Sequence, residues 1–233
     1  MGIAERVRFS QFHNRIMDAA AAAALIPHGA TVGMSGFTGA GYPKALPQAM
    51  AERAQAEHAQ GRPYKINLWT GASTAPECDG ALAQAHAIGQ RLPFNTDPLA
   101  RQQINAGEID FIDMHLSHVA QHAWFGFFGK MNVAVIEVLG VTADGLLIPS
   151  TAIGNNKTWL EIADQVILEV NTKLPGAMEG MHDIYYGTAI PPRRMPISMT
   201  HADNRIGEPY LKVDPAKVIA VVETHGSDRN NVF

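Results

Sequence analysis

Four glycines fall within nine residues, at Gly33, Gly36, Gly39 and Gly41, in the string GMSGFTGAGYPK (33–44). An apolar stretch, 30–34, precedes the loop, and a helix-like stretch follows Pro43. Glycines placed after a buried strand let the backbone turn tightly and approach a ligand closely. The N-terminus of the following helix offers free N–H groups and a partial positive charge. The pattern suits a site that holds an anionic group against bare backbone. It is not a nucleotide loop. The spacing is G-x-x-G-x-x-G-x-G rather than G-x-G-x-x-G, and no G-x-x-x-x-G-K-[ST] string occurs. The plainer alternative is a tight strand-to-helix turn with no ligand.

A second small-residue turn, Gly71-Ala72-Ser73-Thr74-Ala75-Pro76, follows an apolar stretch at 65–70. Two carboxylates stand in apolar strings: Glu137 in NVAVIEV and Glu169 in VILEV. Either could point into a cleft at a strand's carboxyl end, the usual ligand edge of a parallel sheet. Local capping or pairing is the plainer role, so neither is assigned as a nucleophile. His115, His118 and His122 could share one helical face, but no carboxylate or cysteine completes a ligand set. They read as a polar face with packing beside Trp124 and Phe125. Cys78 lies between Glu77 and Asp79, and like charges raise a thiol's pKa, so it is not read as a reactive thiolate.

The elements that must position these residues alternate. Residues 11–26 read as an amphipathic helix ending at Pro27-His28-Gly29, and 30–34 as a short buried strand. Pro43 suits the first turn of a helix running to about Gly61. A strand at 65–70 and a helix at 77–87 follow. The Pro-Phe-Asn-Thr-Asp-Pro segment (93–98) leads into a short helix ending at Gly107. Then come a strand at 109–113, a helix at 115–124 and the clearest buried strand at 132–138. Asp144-Gly145 marks a turn, with 146–149 as the returning strand of a hairpin. A helix at 156–163 and a strand at 165–170 precede a proline-rich irregular stretch, 172–216. The last strand is 217–223. This alternation predicts an α/β domain with a mainly parallel sheet flanked by helices.

A length of 233 residues allows one large domain or two small ones, and 1–233 is read as one. Hydrophobic residues make up 46% and charged residues 17%, an ordinary globular mixture. A net charge of −4 with no basic run gives no nucleic-acid footprint. The single cysteine excludes an internal disulfide and points to a reducing compartment. No signal-peptide layout and no apolar run of 18 residues is present, so a cytoplasmic protein away from membranes is expected. The last residues form a polar stretch with no closing element, which reads as a cut end.

The string SGFTGAGYPK (35–44) resembles the glycine loop of the acetyl-CoA hydrolase/transferase family. That family is a branch of the class I CoA-transferases and includes succinyl-CoA:acetate CoA-transferases. INLWTGAST (66–74), LPFNTDPLARQQINAG (92–107), FIDMHLSHVA (111–120), NVAVIEV (132–138), EGMHDI (179–184) and SDRNNVF (227–233) resemble successive landmarks of its N-terminal half. The likeness spans essentially the whole chain.

The resemblance implies CoA transfer between carboxylic acids, or hydrolysis of short acyl-CoA. In the family a glutamate attacks the acyl-CoA thioester, forming a mixed anhydride and then a glutamyl-CoA thioester. Backbone N–H groups stabilise the oxyanions. That glutamate lies in a segment like S-E-x-x-x-D-G, and the CoA site uses G-x-G-N-x-x-N-A. Neither string occurs here, so the nucleophile is expected beyond Phe233, in a C-terminal catalytic domain. By the same resemblance Gly36, Phe37, Thr38, Gly39, Ala40 and Gly41 line the acyl pocket, and Ser73 stands near the carboxylate. Asn95 and Thr96 form another wall. Arg229 stands near the active site, where a guanidinium can pair with a substrate carboxylate or a CoA phosphate. Coenzyme A is implied as co-substrate, with no permanently bound cofactor and no metal. The implied partners are acyl-CoA, a small acid of the acetate, propionate or succinate class, the chain's own C-terminal domain and further copies in a homo-oligomer. The alternative is a stand-alone module that binds CoA or a small acid without catalysis.

Overall fold

A computed structural model describes residues 2–73 and 75–229. In chain order the strands are β1 (Thr31–Met34), β2 (Phe37–Thr38), β3 (Ile66–Trp69), β4 (Ala72–Ser73), β5 (Ile88–Leu92), β6 (Asp110–Phe111), β7 (Val133–Val141), β8 (Leu147–Pro149), β9 (Gln165–Asn171) and β10 (Val218–Thr224). The helices are α1 (Ile3–Arg6), α2 (Ala19–Ala24), α3 (Ala45–Ala59), α4 (Ala81–Gln84), α5 (Pro98–Asn105), α6 (Leu116–Trp124) and α7 (Asn156–Ile162). The main sheet runs β10-β9-β7-β1-β3-β5-β6, with every neighbouring pair parallel and β8 antiparallel to β7. This is the mainly parallel sheet that the alternation predicts.

Every residue of β7 is buried. Parallel strands covered on both faces read as continuous apolar runs, and successive side chains alternate between the two cores. Val133 and Val135 join Val32, Leu68, Leu46 and Met50 under α2, α3 and α4. Ala134, Ile136 and Val138 join Trp69, Trp159 and Leu168 on the α6–α7 side. From β1 the order steps to β3, β5 and β6 on one side, and to β7, β9 and β10 on the other. The order therefore reverses between β1 and β7. Ligands of open parallel sheets bind outside the carboxyl ends at such a point, and the glycine loop leaves β1 there.

Three expectations change. The helix read at 11–26 is two pieces: a 3₁₀ turn, Ser10–Arg15, and α2. Between them Ile16 is bridged to Val221, and the Met17 N–H donates to the Val221 carbonyl at 3.0 Å. Asp18 starts α2 as its N-cap, accepting from the Ala21 N–H at 2.7 Å. The helix read at 77–87 begins as a π-helical turn, Pro76–Gly80, and ends with α4. The strand β5 has no counterpart in the sequence reading; its string, IGQRL, carries the polar Gln90 and Arg91. Arg91 is fully buried, and its Nε donates to Asp79 Oδ1 at 2.7 Å. Asp79 also accepts from the Ala75 N–H at 3.2 Å, which ties the second small-residue turn to the core.

Removing one partner of a buried ion pair strands the other charge. Arg91→Met should therefore lower unfolding stability by roughly 3–5 kcal/mol in urea titrations. A loss below about 1 kcal/mol would show that Asp79 does not depend on this cation.

Candidate functional site

The glycine loop closes on itself. Phe37 N–H donates to the Ala40 carbonyl at 2.8 Å, and Ala40 N–H returns to the Phe37 carbonyl at 3.0 Å. Thr38 has φ 47° and Gly41 has φ 68°, both in the left-handed region. A Cβ at Gly36 would run into the Ala40 carbonyl oxygen and lie 2.8 Å from the Gly41 carbonyl carbon. β2 and β4 pair in parallel, with Thr38 opposite Ser73, so the two small-residue turns run side by side. Below them the Asn155 N–H donates to Ser35 Oγ at 2.7 Å. The loop offers backbone, the exposed Phe37 ring and the Thr38 hydroxyl, which is buried with no partner among the described residues.

The far end of the loop is anchored by charges. Glu169 accepts the N–H groups of Lys44 at 2.6 Å, Ala45 at 2.9 Å and Leu46 at 2.9 Å. The helix N-terminus that the glycine pattern offered to a ligand anion is therefore already filled by a carboxylate of the chain itself. Lys44 Nζ reaches Glu137 Oε2 at 2.5 Å, Asp228 Oδ1 at 2.9 Å and the Tyr42 carbonyl at 2.9 Å. It also lies 4.4 Å from the Tyr42 ring centroid. Glu137 takes a further hydrogen bond from Asn171 Nδ2 at 3.3 Å, and its Oε1 has no partner among the described residues. Both strand glutamates thus cap or pair, the plainer of the two roles read from the sequence.

Burial pushes Glu137 up to about 7, against the pull of Lys44 and with a further push from Glu169. Burial also raises Glu169, while the three N–H groups resist it. For Lys44, burial works against the ammonium, but Glu137 and Asp228 outweigh it and hold its pKa above the usual lysine value. The folded chain therefore holds a proton on Glu137 that the unfolded chain releases from about 4.5. That contribution to stability is complete below pH about 4.5 and is lost as pH rises through about 7. In urea unfolding at a series of pH values, the stability of the parent relative to Glu137→Gln should fall across this window, by at most about 1.4 kcal/mol per pH unit. Parallel profiles for the two proteins would contradict the shift.

Asp228 also accepts from the Gly41 N–H at 3.2 Å and from the Thr151 hydroxyl. The Arg229 N–H donates to the Gly39 carbonyl at 2.8 Å. The Arg229 side chain pairs with Glu77 at 2.5 Å, and the Tyr42 hydroxyl donates to the same carboxylate at 2.9 Å. Burial works against the Glu77 carboxylate, but these two partners overcome it and hold its pKa below the usual range. Arg229 remains half exposed, on a cavity of about 380 Å³ shared with Pro76, Glu77, Asp97 and Leu99. An incoming anion at Arg229 would have to displace Glu77.

The structure thus brings together 36–41, the Ser73 backbone and Arg229. Asn95 and Thr96 stand one step away. Asn95 brackets Asp97, accepting from its N–H at 3.2 Å, and Asp97 caps α5 through Leu99 and Ala100. Within this segment it is Asp97 and Leu99 that line the cavity. The sequence reading missed Tyr42, Lys44, Glu77 and Asp228. One signal was available for Lys44: a glutamate in a fully apolar strand needs a partner, and Lys44 closes the glycine string.

Two other readings have a physical outcome. The Cys78 thiol is raised well above its usual pKa by burial first, with Asp79 adding to it. The rings of His115, His118 and His122 form a ladder with centroids 5.7 and 5.8 Å apart, and His122 packs on Phe127 and Phe128.

Residues 1–223 match the pattern of the acetyl-CoA hydrolase/transferase N-terminal domain. The chain belongs to the acetyl-CoA hydrolase/transferase family. It is 40% identical over 225 residues to the succinyl-CoA:acetate CoA-transferase of Clostridium kluyveri, covering 97% of this chain and 41% of that protein. It is 44% identical over 217 residues to the propanoyl-CoA:succinate CoA transferase of Escherichia coli K12, covering 93% of this chain and 44% of that one. The chain therefore spans less than half the length of these family members. The crystal structure of glutaconate coenzyme A-transferase from Acidaminococcus fermentans has a TM-score of 0.59 and 12% identity, over 90% of this chain and 75% of that one. At that identity the likeness is one of fold alone.

Proposed function

We propose that this chain is the N-terminal half of an enzyme that passes CoA between short carboxylic acids, or hydrolyses short acyl-CoA. The observation that carries the proposal is the pairing of the 36–41 loop with 72–73 at the strand-order reversal, with Arg229 docked on Gly39. Glycine at 36, 39 and 41 lets an acyl group and a carboxylate lie close to the backbone there. Gly36 to Gly41 form the acyl wall. Ser73 and Arg229 belong to the part of the site that takes the carboxylate or the CoA phosphates, and Asn95 and Thr96 to another wall.

A second half supplies the nucleophilic glutamate and most contacts to CoA, which acts as co-substrate. The glutamate oxygen attacks the thioester carbonyl, the C–S bond breaks, and CoA leaves as a thiolate. The thiolate then attacks the glutamyl carbonyl and releases the first acid. CoA passes next to acetate, propionate or succinate, or water takes the place of the acid. The likeness to the curated relatives supports this reading. Among the described residues no helix is long and apolar enough to cross a membrane, and the one cysteine is buried and free. Both accord with placing the enzyme in the cytoplasm.

The test is incubation of the protein, extended through its second half, with acetyl-CoA or propionyl-CoA and succinate. Succinyl-CoA and free CoA are followed in parallel. Formation of either is expected. Silence with both donors would overturn the proposal.

A further inference from the structure

Three cations are buried among the described residues: Arg6, Lys44 and Arg91. Lys44 meets Glu137 and Asp228, and Arg91 meets Asp79. Arg6 is only 9% exposed, yet it meets no carboxylate among the described residues. Its Nη2 donates to the Leu174 carbonyl at 2.5 Å, and its buried Nε has no partner among them. A guanidinium keeps its charge at any working pH. A charge taken out of water needs an opposite charge beside it.

β7 fixes where Arg6 stands. Val7 is bridged to Val141, and the Arg8 N–H donates to the Val141 carbonyl at 3.0 Å. A Cβ at Gly140 would lie 2.6 Å from the Arg6 carbonyl oxygen. Arg8 in turn pairs at 2.6 Å with Glu179, the first residue of the EGMHDI string. Arg6, Arg8 and Glu179 line a cavity of about 290 Å³ together with Leu139, Ile148, Gly176 and Glu5. A Cβ at Gly176 would lie 3.5 Å from Arg6 Nη1, so glycine leaves that nitrogen uncovered on this side. None of these residues belongs to the glycine loop or to the cavity at Arg229.

We infer that this cavity binds the carboxylate of a short aliphatic acid, at a site separate from the glycine loop. The lining selects that chemistry. Arg6 Nη1 makes no hydrogen bond among the described residues, and its N–H groups suit a charge-assisted bond to an oxyanion. Leu139 and Ile148, both buried, give an apolar wall for an alkyl chain. Glu5 and Glu179 line the same cavity, and their charge favours a monoanion over a dianion such as phosphate. The volume is at the small end of the roughly 300–1,000 Å³ that takes drug-sized ligands, which limits the guest to a few heavy atoms. The inference needs no CoA chemistry and stands or falls apart from the functional reading above.

The test irradiates the protein, extended through its second half, with a short alkanoic acid that carries a photoreactive diazirine, and maps the label by mass spectrometry. Label on the peptides that hold Leu139, Ile148 or Gly176 is expected. Excess butyrate should suppress it, and phosphate at the same ionic strength should not. Gly176→Val puts a side chain into the cavity and should abolish that label. Gly176 is exposed and its φ lies outside the left-handed region, so the fold tolerates the valine. At sub-saturating probe, Arg6→Gln should cut the label at least about 10-fold. Absence of label at these peptides, the result if a carboxylate of the second half already meets Arg6, overturns the proposal. Label that survives Gly176→Val overturns it too, as does label that phosphate suppresses as well as butyrate.

Discussion

Lys44→Met is expected to lower unfolding stability by about 3–5 kcal/mol, with a fall in Tm on the order of 10 °C. Lys44 is 7% exposed and Glu137 is fully buried, so solvent screens their contact little. The methionine fills the space of the lysine stem but leaves Glu137 and Asp228 without their shared cation, and frees the Tyr42 carbonyl. Glu137 can answer by holding its proton, so the loss should be larger at pH 8 than at pH 5. The double variant Lys44→Met/Glu137→Met should recover much of the loss, because replacing a buried pair by apolar groups of similar volume is often close to neutral. Thermal unfolding by circular dichroism at both pH values reads all three proteins. A single-variant loss within about 1 kcal/mol, or no recovery in the double variant, would show that the pair does not anchor the loop.

Gly36→Ala should cut the kcat of the extended enzyme by about 100-fold, with far-UV circular dichroism unchanged. The added Cβ meets two backbone carbonyl groups, that of Ala40 at its oxygen and that of Gly41 at its carbon and oxygen, 2.8 and 2.9 Å away. Backbone cannot swing aside as a flexible side chain can, so the 37–40 turn must open. A displacement of about 1 Å at a reacting centre is enough for a loss of that size. The β2–β4 pairing, and with it the register of Thr38 on Ser73, moves with the turn. A variant within about threefold of the parent kcat would mean that the closed form of the loop is not the working one.

Much of the sheet was legible because β7, β9 and β10 are almost wholly buried and read as apolar strings interrupted only by Glu137 and Glu169 within them and by polar residues at the ends of β9 and β10. β5 was not, since its Arg91 is buried only by virtue of Asp79, which lies outside the strand. β2 and β4 were not, since two-residue strands carry no periodicity. The helix read across 11–26 failed at Asp18, whose side chain prefers to start a helix rather than continue one. In the site, the glycine loop was legible because close approach and positive φ leave glycine as the residue that fits at Gly36 and Gly41. Its anchors were not, since Lys44 and Glu137 lie 93 residues apart. The open helix N-terminus was misread for the same reason: Glu169 reaches it from a strand 123 residues beyond Leu46.

The most direct measurement is CoA exchange between acetyl-CoA and succinate, run with residues 1–233 alone and with the protein extended through its second half. Turnover by the extended protein, with silence from 1–233, is the result expected if this chain is the substrate-side half and the nucleophile lies elsewhere. Exchange by 1–233 alone at a comparable rate would contradict that placement, and would make Glu137 and Glu169, buried as they are, the first carboxylates to replace.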